Sequence, residues 1–279
     1  MKKTVFLNNK YIKSKNAFIS YEDRGFQFAD SIYEVIAFID DKFIDLDFHF
    51  KRLKRSLKLI DIKYRFNQNY LQKIFKKLIK INNVKKGLIY LQITRGVQPR
   101  NHSYKKDLKP TVIIYTIKKN LNENLKKLLG KKAITYPDLR WKRRDIKSVS
   151  LLPNVLAAKA ASKKSAYEAI LIDNGIVTEG TASNIWIVKK NKLITHPANS
   201  HILKGITRQS IVKIIKKEKL VLFEKKIKKS ELFSADEVFL TSSSSFVTPI
   251  IKIDNKFINK GKVGKITYNL AKIYIAKFQ

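Results

Sequence analysis

A lysine and a glutamate in the second half of the chain have the types and the order needed to act on one aldehyde cofactor. Lys147 follows a predicted strand and precedes a helix that Pro153 can begin. Glu179 comes shortly after the turn Asn174-Gly175. A positioned lysine amine forms an imine with an aldehyde, and a carboxylate beside a pyridine nitrogen keeps that nitrogen protonated. The pair therefore indicates pyridoxal-phosphate chemistry. The alternative is a solvated surface lysine and an ordinary carboxylate at a strand end.

Three further features have the residue types that bind a phosphate. The segment 203–208 places Gly205 and Thr207 at a predicted helix start, where free N–H groups favour an anion. The segment 241–245 supplies a run of hydroxyls after a predicted strand, and Arg52 adds a cation. Glycine and threonine are common at helix starts, so each feature is weak evidence when taken alone.

A polar loop at residues 96–104 contains an arginine and a histidine two positions apart, Arg100 and His102. An arginine fork can bind a carboxylate with two parallel hydrogen bonds, so this loop could hold the carboxylate of a substrate. On spacing alone, two solvated loop residues are the more common outcome.

The elements that must position these residues are strands and helices mixed without regular alternation, which favours an α+β fold. Asn8-Asn9 predicts a hairpin, as does Asn174-Gly175. Helices are predicted around Phe50, Leu53 and Leu57 with Asp47 as N-cap, around Leu71–Leu78, from Pro153 to about 165, from Thr207 as cap, and over 263–273; strands are predicted at 4–7, 31–39, 88–95, 111–117, 168–172, 176–178, 184–188, 192–195 and 236–240. We predict a small N-terminal domain at 1–118, a linker at 119–124 and a larger C-terminal domain at 125–279.

The composition excludes several classes of protein. The 279 residues contain no cysteine, so disulfides and thiolate metal sites are excluded, and we expect no metal site. No apolar run is long enough for a membrane helix, and no signal peptide is evident, so a cytoplasmic protein is expected.

The net charge of +37, from 59 basic and 22 acidic residues, raises the alternative of a nucleic-acid-binding protein. The lysines are spread along the whole chain and are not gathered in one tail or helix. A solvated basic surface with no specific nucleic-acid partner is therefore the preferred interpretation.

Taken together, the ordered motifs resemble the class IV aminotransferases, of pyridoxal-phosphate fold type IV, and within that family the D-amino-acid aminotransferases. The resemblance runs nearly from end to end. It rests on the segments Tyr21-Glu-Asp-Arg-Gly-Phe-Gln-Phe-Ala-Asp30, 32–35, Leu91-Gln-Ile-Thr-Arg-Gly96, Pro99-Arg-Asn-His102, 140–141, Asp145-Ile-Lys-Ser148, 167–170, Thr178-Glu-Gly180, 195–199, Ile202-Leu-Lys-Gly-Ile-Thr-Arg208 and 261–264.

The resemblance implies a small N-terminal α/β domain, a larger β-barrel-like C-terminal domain with helices, and pyridoxal 5'-phosphate as cofactor. It implies that Lys147 is the Schiff-base lysine and Glu179 the partner of the pyridine nitrogen. It also implies a homodimer, in which the neighbouring subunit supplies the carboxylate trap. The remaining implied positions are Arg52, Ile206, Thr207 and Ser243 for the phosphate, Ser183, Ser242 and Leu203 for the rest of the cofactor, Tyr33 and Tyr90 for the substrate, and Arg100 and His102 for its carboxylate.

The implied reaction is transamination between a D-amino acid of the D-alanine type and a 2-oxo acid such as 2-oxoglutarate. Branched-chain L-amino-acid aminotransferases and aminodeoxychorismate lyases share the lysine and the glutamate, so both remain alternatives. The Arg-Asn-His motif at 100–102 favours the D-amino-acid enzymes. One departure from the family pattern is Ala182, which replaces a hydroxyl residue near the cofactor.

Overall fold

The computed structural model describes residues 3–121 and 128–278. The chain divides into two compact units. Unit 1 comprises Met1–Asn120 and Ile146–Ser150, and unit 2 comprises Leu121–Asp145 and Leu151–Gln279.

The chain passes from one unit to the other three times, and the short return at 146–150 places Lys147 in unit 1. Of the linker expected at 119–124, residues 122–124 lie outside the described residues. The division of the chain at 118 and 125 therefore stays a prediction.

Unit 1 is built on a six-stranded sheet in which every neighbouring pair is antiparallel. Its strands are β1 (Thr4–Leu7), β2 (Lys10–Lys13), β3 (Ser31–Ile39), β4 (Lys42–Phe43), β5 (Lys86–Thr94) and β6 (Val112–Lys118). They lie in the order β2-β1-β6-β5-β3-β4. The hairpin predicted at Asn8-Asn9 is confirmed: both residues have positive φ, 45° and 69°, as a tight two-residue hairpin requires.

Among the described residues of unit 1, three α-helices accompany this sheet: α1 (Arg24–Phe28), α2 (Leu46–Leu59) and α3 (Gln68–Ile81). The apolar side chains of α2 and α3 recur at helical spacing and are buried in one core with the sheet. The prediction that Asp47 caps α2 is wrong. Asp45 occupies the N-cap in a left-handed conformation, and Asp47 lies in the first turn, where a carboxylate complements the helix dipole.

The two faces of β3 have different roles, because successive side chains of a strand point to opposite faces. Ile32, Ile36 and Phe38 enter the core shared with α2 and α3. Glu34 lies on the same face, a buried carboxylate within an apolar stripe. Tyr33 points to the other face of the sheet and stacks on Tyr90 of β5.

Unit 2 is built on a ten-stranded sheet that closes on itself. Its strands are β7 (Lys131–Pro137), β8 (Glu168–Asp173), β9 (Ile176–Gly180), β10 (Asn184–Lys189), β11 (Lys192–Thr195), β12 (Leu222–Glu224), β13 (Ile227–Lys228), β14 (Glu237–Ser242), β15 (Phe246–Ile253) and β16 (Lys256–Phe257). The path runs β12-β11-β10-β14-β15-β7-β8-β9-β13, with β16 on β15. A further pairing between Asn184 of β10 and Glu179 of β9 closes six of these strands into a ring. The predicted barrel-like sheet is thereby confirmed.

The described helices of unit 2 are α4 (Leu152–Lys163), α5 (Ile206–Lys217), α6 (Lys229–Phe233) and α7 (Lys265–Ala276). Pro153 lies in the first turn of α4, as expected from its fixed φ and missing N–H. The prediction that Thr207 caps α5 is wrong, because Gly205 is the N-cap and Thr207 lies in the first turn. Among the described residues, no helix is both long and apolar enough to span a membrane.

Candidate active site

Lys147 is held at the edge of the sheet of unit 1. The short strand β4 pairs only with the far end of β3, at Phe38 and Ile39, so the start of β3 is available to another segment. The 146–150 segment pairs there: Tyr33 N donates to Lys147 O at 3.0 Å, and Val149 N donates to Ser31 O at 3.2 Å. The Lys147 ammonium then lies 4.1 Å from the centre of the Tyr33 ring, within the range of a cation–π contact.

The two substrate tyrosines predicted from the sequence lie together in unit 1. The rings of Tyr33 and Tyr90 stack at 5.7 Å between centroids, and Tyr90 stacks on Tyr115 at 4.9 Å. Burial raises the pKa of Tyr90, so its phenol stays protonated and can donate a hydrogen bond. The structure therefore brings Lys147, Tyr33 and Tyr90 into one neighbourhood.

Arg52 is fixed by a buried carboxylate that the sequence analysis missed. Arg52 Nε donates to Glu34 Oε1 at 2.7 Å, and Arg52 Nη2 donates to Glu34 Oε2 at 2.8 Å. His49 Nδ1 lies 2.7 Å from Glu34 Oε2. The available signal was the position of Glu34 among Ile32 and Ile36, because a carboxylate in an apolar stripe needs buried partners.

The charges of this group follow from burial and pairing. Burial alone would raise the pKa of Glu34, but Arg52 and His49 outweigh it and lower that pKa to about 2. Burial lowers the pKa of His49, which favours a neutral ring that donates from Nδ1 to Glu34. Glu34 is therefore an anion that holds the Arg52 guanidinium in one orientation.

Glu179 is a buried carboxylate at the end of β9, 4% exposed, with three donors around it. Its Oε1 accepts hydrogen bonds from Asn184 Nδ2 and from Leu203 N, both at 2.9 Å. Its Oε2 accepts from Arg140 Nη1 at 2.5 Å. Burial raises the pKa of Glu179 against the opposing effect of Arg140, so this carboxylate has an enhanced affinity for a proton.

Arg140 has a second carboxylate partner, which fixes the direction of its guanidinium. Asp138 accepts from Arg140 Nε at 2.9 Å and from Arg140 Nη2 at 2.8 Å. Asp138 also accepts from Thr178 Oγ1 at 2.6 Å and pairs with Arg144 at 3.2 Å. Burial alone would raise the pKa of Asp138, but Arg140 in particular outweighs it and lowers that pKa. Arg140 lies in one of the motifs that carry the family resemblance, but its role could not be predicted, since this pairing is visible only in three dimensions.

Asn184 joins Glu179 to the start of α5 and to β14. It pairs with Glu179 on one side and with Thr241 on the other. Its Nδ2 donates both to Glu179 and to Leu203 O, each at 2.9 Å. The carboxylate, the 203–205 segment and the end of β14 therefore meet at one rim of the barrel.

The same rim carries the predicted anion-binding features of unit 2. No side chain caps α5, so the first-turn N–H groups of Ile206 and Thr207 are positioned for an anion. Ser242 ends β14, and its hydroxyl lies 2.6 Å from Ser245 Oγ; Ser243 lies in the same turn. Thr207 and Ser243, predicted for the phosphate, and Ser242, predicted for the rest of the cofactor, are thus on elements that meet at Asn184 and Thr241.

Another buried carboxylate of unit 2, Glu168, organises the 181–183 turn. Glu168 Oε1 accepts from Ala182 N and from Ser183 Oγ, both at 2.8 Å. A Cβ at Gly180 would lie 2.3 Å from both Glu168 Oε1 and Ser183 Oγ, so any other residue there would have to displace these side chains. Burial raises the pKa of Glu168 despite these donors. Ser183, which is predicted to bind the cofactor, therefore donates its hydroxyl hydrogen bond to Glu168.

Arg100 and His102 lie on the 96–104 loop of unit 1, and both contact Phe28 of α1. The Arg100 guanidinium is 4.6 Å from the centre of the Phe28 ring, and the His102 ring is 5.4 Å from it. Their aromatic contacts are thus with Phe28 and not with the stacked tyrosines. Across residues 3–121 and 128–278, no group of three or more His, Asp or Glu side chains is arranged to hold a metal ion.

Comparison with known proteins gives matches over nearly the whole chain. The family model described as amino-transferase class IV matches residues 31–253. The chain is 41% identical over 268 residues to a D-alanine aminotransferase of Bacillus licheniformis, covering 95% of this chain and 94% of the relative. A D-alanine aminotransferase of Staphylococcus epidermidis is 42% identical with the same coverage. A crystal structure of a branched-chain aminotransferase from Thermoproteus uzoniensis with norvaline matches with a TM-score of 0.87 at 26% identity, covering 99% of this chain and 96% of that one.

Proposed function

Because the chain belongs to the class IV aminotransferases, we propose that it moves the amino group of a D-amino acid of the D-alanine type to a 2-oxo acid such as 2-oxoglutarate. The cofactor of this family is pyridoxal 5'-phosphate. The observation that carries the proposed chemistry is the buried Glu179 carboxylate, joined through Asn184 to a helix start suited to a phosphate. The substrate class is supported by 41–42% identity to D-alanine aminotransferases.

The donor set of the described residues fits this cofactor. Its aldehyde requires an amine, which Lys147 supplies from the edge of β3. Its ring nitrogen requires an acid, and burial gives Glu179 an enhanced affinity for a proton. Its phosphate requires donors, which are Arg52, the N–H groups of Ile206 and Thr207, and the hydroxyls of Ser242 and Ser243.

When bound, the cofactor supplies an aldehyde that takes up the amino group and a ring that accepts an electron pair from the α-carbon. Lys147 Nζ would accept the α-proton of the amino acid and then donate it to the bound cofactor, and not back to the α-carbon. Glu179 holds a proton toward the ring nitrogen, and Arg140 and Asp138 keep the Glu179 carboxylate in place.

We assign substrate binding to the tyrosines and to the 96–104 loop. Tyr33 and Tyr90 present an aromatic surface beside Lys147, and Arg100 with His102 binds the α-carboxylate. We further propose a homodimer in which this loop serves the site of the neighbouring subunit. Phe18, Tyr21 and Phe26 support this proposal, because they are 75–80% exposed and would be covered in a dimer.

Paired assays test the substrate. With 2-oxoglutarate as acceptor, D-alanine should be used at least 10 times more efficiently than L-leucine, measured as kcat/KM. The main alternative is transamination of branched-chain L-amino acids, which the Thermoproteus uzoniensis structure favours at 26% identity. A preference for L-leucine would replace the D-amino-acid proposal by this alternative.

The variant Lys147→Ala tests the chemistry separately from the substrate. It should abolish transamination and the visible absorbance of the lysine-bound cofactor. Lys159→Ala, on α4 and exposed, is the matched control and should keep both. Turnover by Lys147→Ala at the wild-type rate would refute the role of Lys147.

A further inference from the structure

Helix α1 and the 96–104 loop are joined by a buried arginine that the reaction scheme does not use. Arg24 is 4% exposed, and all three of its nitrogen groups have acceptors. Its Nη1 donates to Asn101 O at 2.5 Å, and its Nη2 donates to His102 O at 3.1 Å. Its Nε donates to Asp30 Oδ2 at 2.9 Å.

The two carbonyls held by Arg24 belong to the stretch that carries the carboxylate-binding side chains. Asn101 stands between Arg100 and His102, and the second carbonyl is that of His102 itself. Holding two consecutive carbonyls restrains the two peptide planes that meet at the Cα of His102, and so the direction in which the His102 side chain leaves the backbone.

Phe28, on the same helix, contacts the side chains of this stretch. Arg24 and Phe28 are four residues apart on α1 and therefore share one face of the helix. The Arg24 guanidinium lies 4.8 Å from the Phe28 ring, whose other neighbours include Arg100 and His102. One helical face thus contacts both the backbone and the side chains of the motif.

Asp30 connects Arg24 to Arg95, the residue that follows β5. It accepts from Arg24 and from Arg95, which reaches it with Nε at 2.6 Å and Nη2 at 2.9 Å. Arg95 follows the end of β5, and its guanidinium lies 3.6 Å from the ring of Tyr104 at the far end of the loop. Asp30 therefore binds both Arg24, which holds the middle of the loop, and Arg95, which contacts Tyr104 at its far end.

From this geometry we infer that Arg24 is a positioning residue of the 96–104 loop and controls the affinity of the loop for the substrate carboxylate. The inference rests on the proposed role of Arg100 and His102. Arg24 itself touches no substrate in this scheme. A lysine could keep the charge beside Asp30 but could not hold two carbonyls and a carboxylate with one planar fork.

The kinetic test uses Arg24→Lys in the holoenzyme. KM for D-alanine and for 2-oxoglutarate should rise at least 10-fold, while kcat stays within 3-fold and the absorbance of the bound cofactor is unchanged. Arg65→Lys, an exposed position, should leave both parameters unchanged. An unchanged KM in Arg24→Lys, or a fall in kcat alone, would overturn the inference.

A second measurement separates this inference from the proposed function. Amide hydrogen exchange of the 96–104 peptide should be at least 10-fold faster in Arg24→Lys than in wild type, whether or not D-alanine is a substrate. Unchanged exchange there would refute the inference even in an active enzyme. If wild type shows no D-alanine activity and the exchange effect is present, only the proposed substrate fails.

Phe28→Leu provides a variant that keeps the Arg24–Asp30 pair. It removes the ring that contacts the Arg24 guanidinium as well as Arg100 and His102, so it loosens Arg24 and the loop together. It should raise KM for D-alanine by 3-fold or more, with kcat within 3-fold. If Arg24→Lys does not fold, this variant decides the inference by the same two measurements. Wild-type KM and wild-type exchange in Phe28→Leu would then overturn it.

Discussion

At the scale of the residue, Glu34 shows how a buried charge is retained for a purpose. It is 1% exposed and accepts both arms of Arg52 while His49 contacts the same carboxylate. Leaving one member of such a group unpaired costs about 3–5 kcal/mol. An intact buried ion group nevertheless adds little net stability compared with apolar residues of the same size. Its effect here is to determine where the Arg52 guanidinium points.

Glu34→Gln should lower the free energy of unfolding by about 3 kcal/mol at pH 6, because Arg52 loses its anionic partner. The folded pKa of about 2 lies below the unfolded value of 4.5, so the stabilising effect is present above pH 4.5 and is lost as the pH falls toward 2. The difference in the free energy of unfolding between wild type and Glu34→Gln should thus decrease by about 1 kcal/mol from pH 6 to pH 3.5.

Urea unfolding at both pH values and constant ionic strength measures this effect. Asp107→Asn is the control, because its side chain is 95% exposed and its partner Lys63 is 3.9 Å away. That variant should stay within about 0.5 kcal/mol of wild type. If the difference in the free energy of unfolding between wild type and Glu34→Gln does not change with pH, the assigned ionisation of Glu34 is wrong.

Single residues also mark the limit of prediction from sequence. Lys147 and Glu179 could be selected because their chemical types and flanking turns are visible in one dimension. Arg140, Asp138 and Arg24 could not, since each acts through a partner or a backbone carbonyl that only the folded chain brings near. Roles that depend on a pair of distant residues were therefore absent from the sequence analysis.

At the scale of the element, tight turns were predicted well and strands without such turns were not. Asn174-Gly175 has φ of 49° and 76°, values that few residues adopt, so its hairpin could be read directly. β7 was not predicted. β7 pairs in parallel with both β8 and β15, and parallel pairing leaves no short turn in the sequence.

The start of α5 permits a test of how one element holds two parts of the site. A Cβ at Gly205 would lie 2.0 Å from Asn184 Oδ1, so Gly205→Ala must displace the amide that donates to Glu179 and Leu203. We expect a loss of about 1–3 kcal/mol of stability and at least a tenfold weaker binding of pyridoxal phosphate, measured by absorbance titration of the apoenzyme.

Gly175→Ala is the matched control for that experiment. Its Cβ would meet nothing within 4 Å, and its φ of 76° makes the variant strained for a different reason. It should lose about 1 kcal/mol of stability and keep the wild-type affinity for the cofactor. Equal affinities in the two variants would show that Asn184 does not couple α5 to Glu179.

At the scale of the whole molecule, the net charge of +37 is the dominant property. Like charges on a folded chain repel one another, and the repulsion is screened when salt shortens the Debye length. The family assignment explains the fold without reference to this charge, so its main effect is expected on stability and on weak binding to polyanions.

Raising sodium chloride from 20 to 300 mM should therefore increase Tm by at least about 2–4 °C, the shift that 1 kcal/mol produces in a chain of this size. Scanning calorimetry measures it. Sodium sulfate at matched ionic strength is the control, because a much larger effect of sulfate would indicate exclusion from the surface. A Tm independent of salt would mean that the lysines are too far apart to repel.

The five residues at 146–150 have a consequence for how such a chain can be recombined. They pair with Ser31–Tyr33, whereas the residues on either side of them in sequence belong to unit 2. A gene fusion with one junction near position 120 would take β3 from one parent and the lysine segment from the other. Exchange of intact units between relatives therefore needs two extra junctions, at 145 and 150, so that the lysine is inherited together with the strand that holds it.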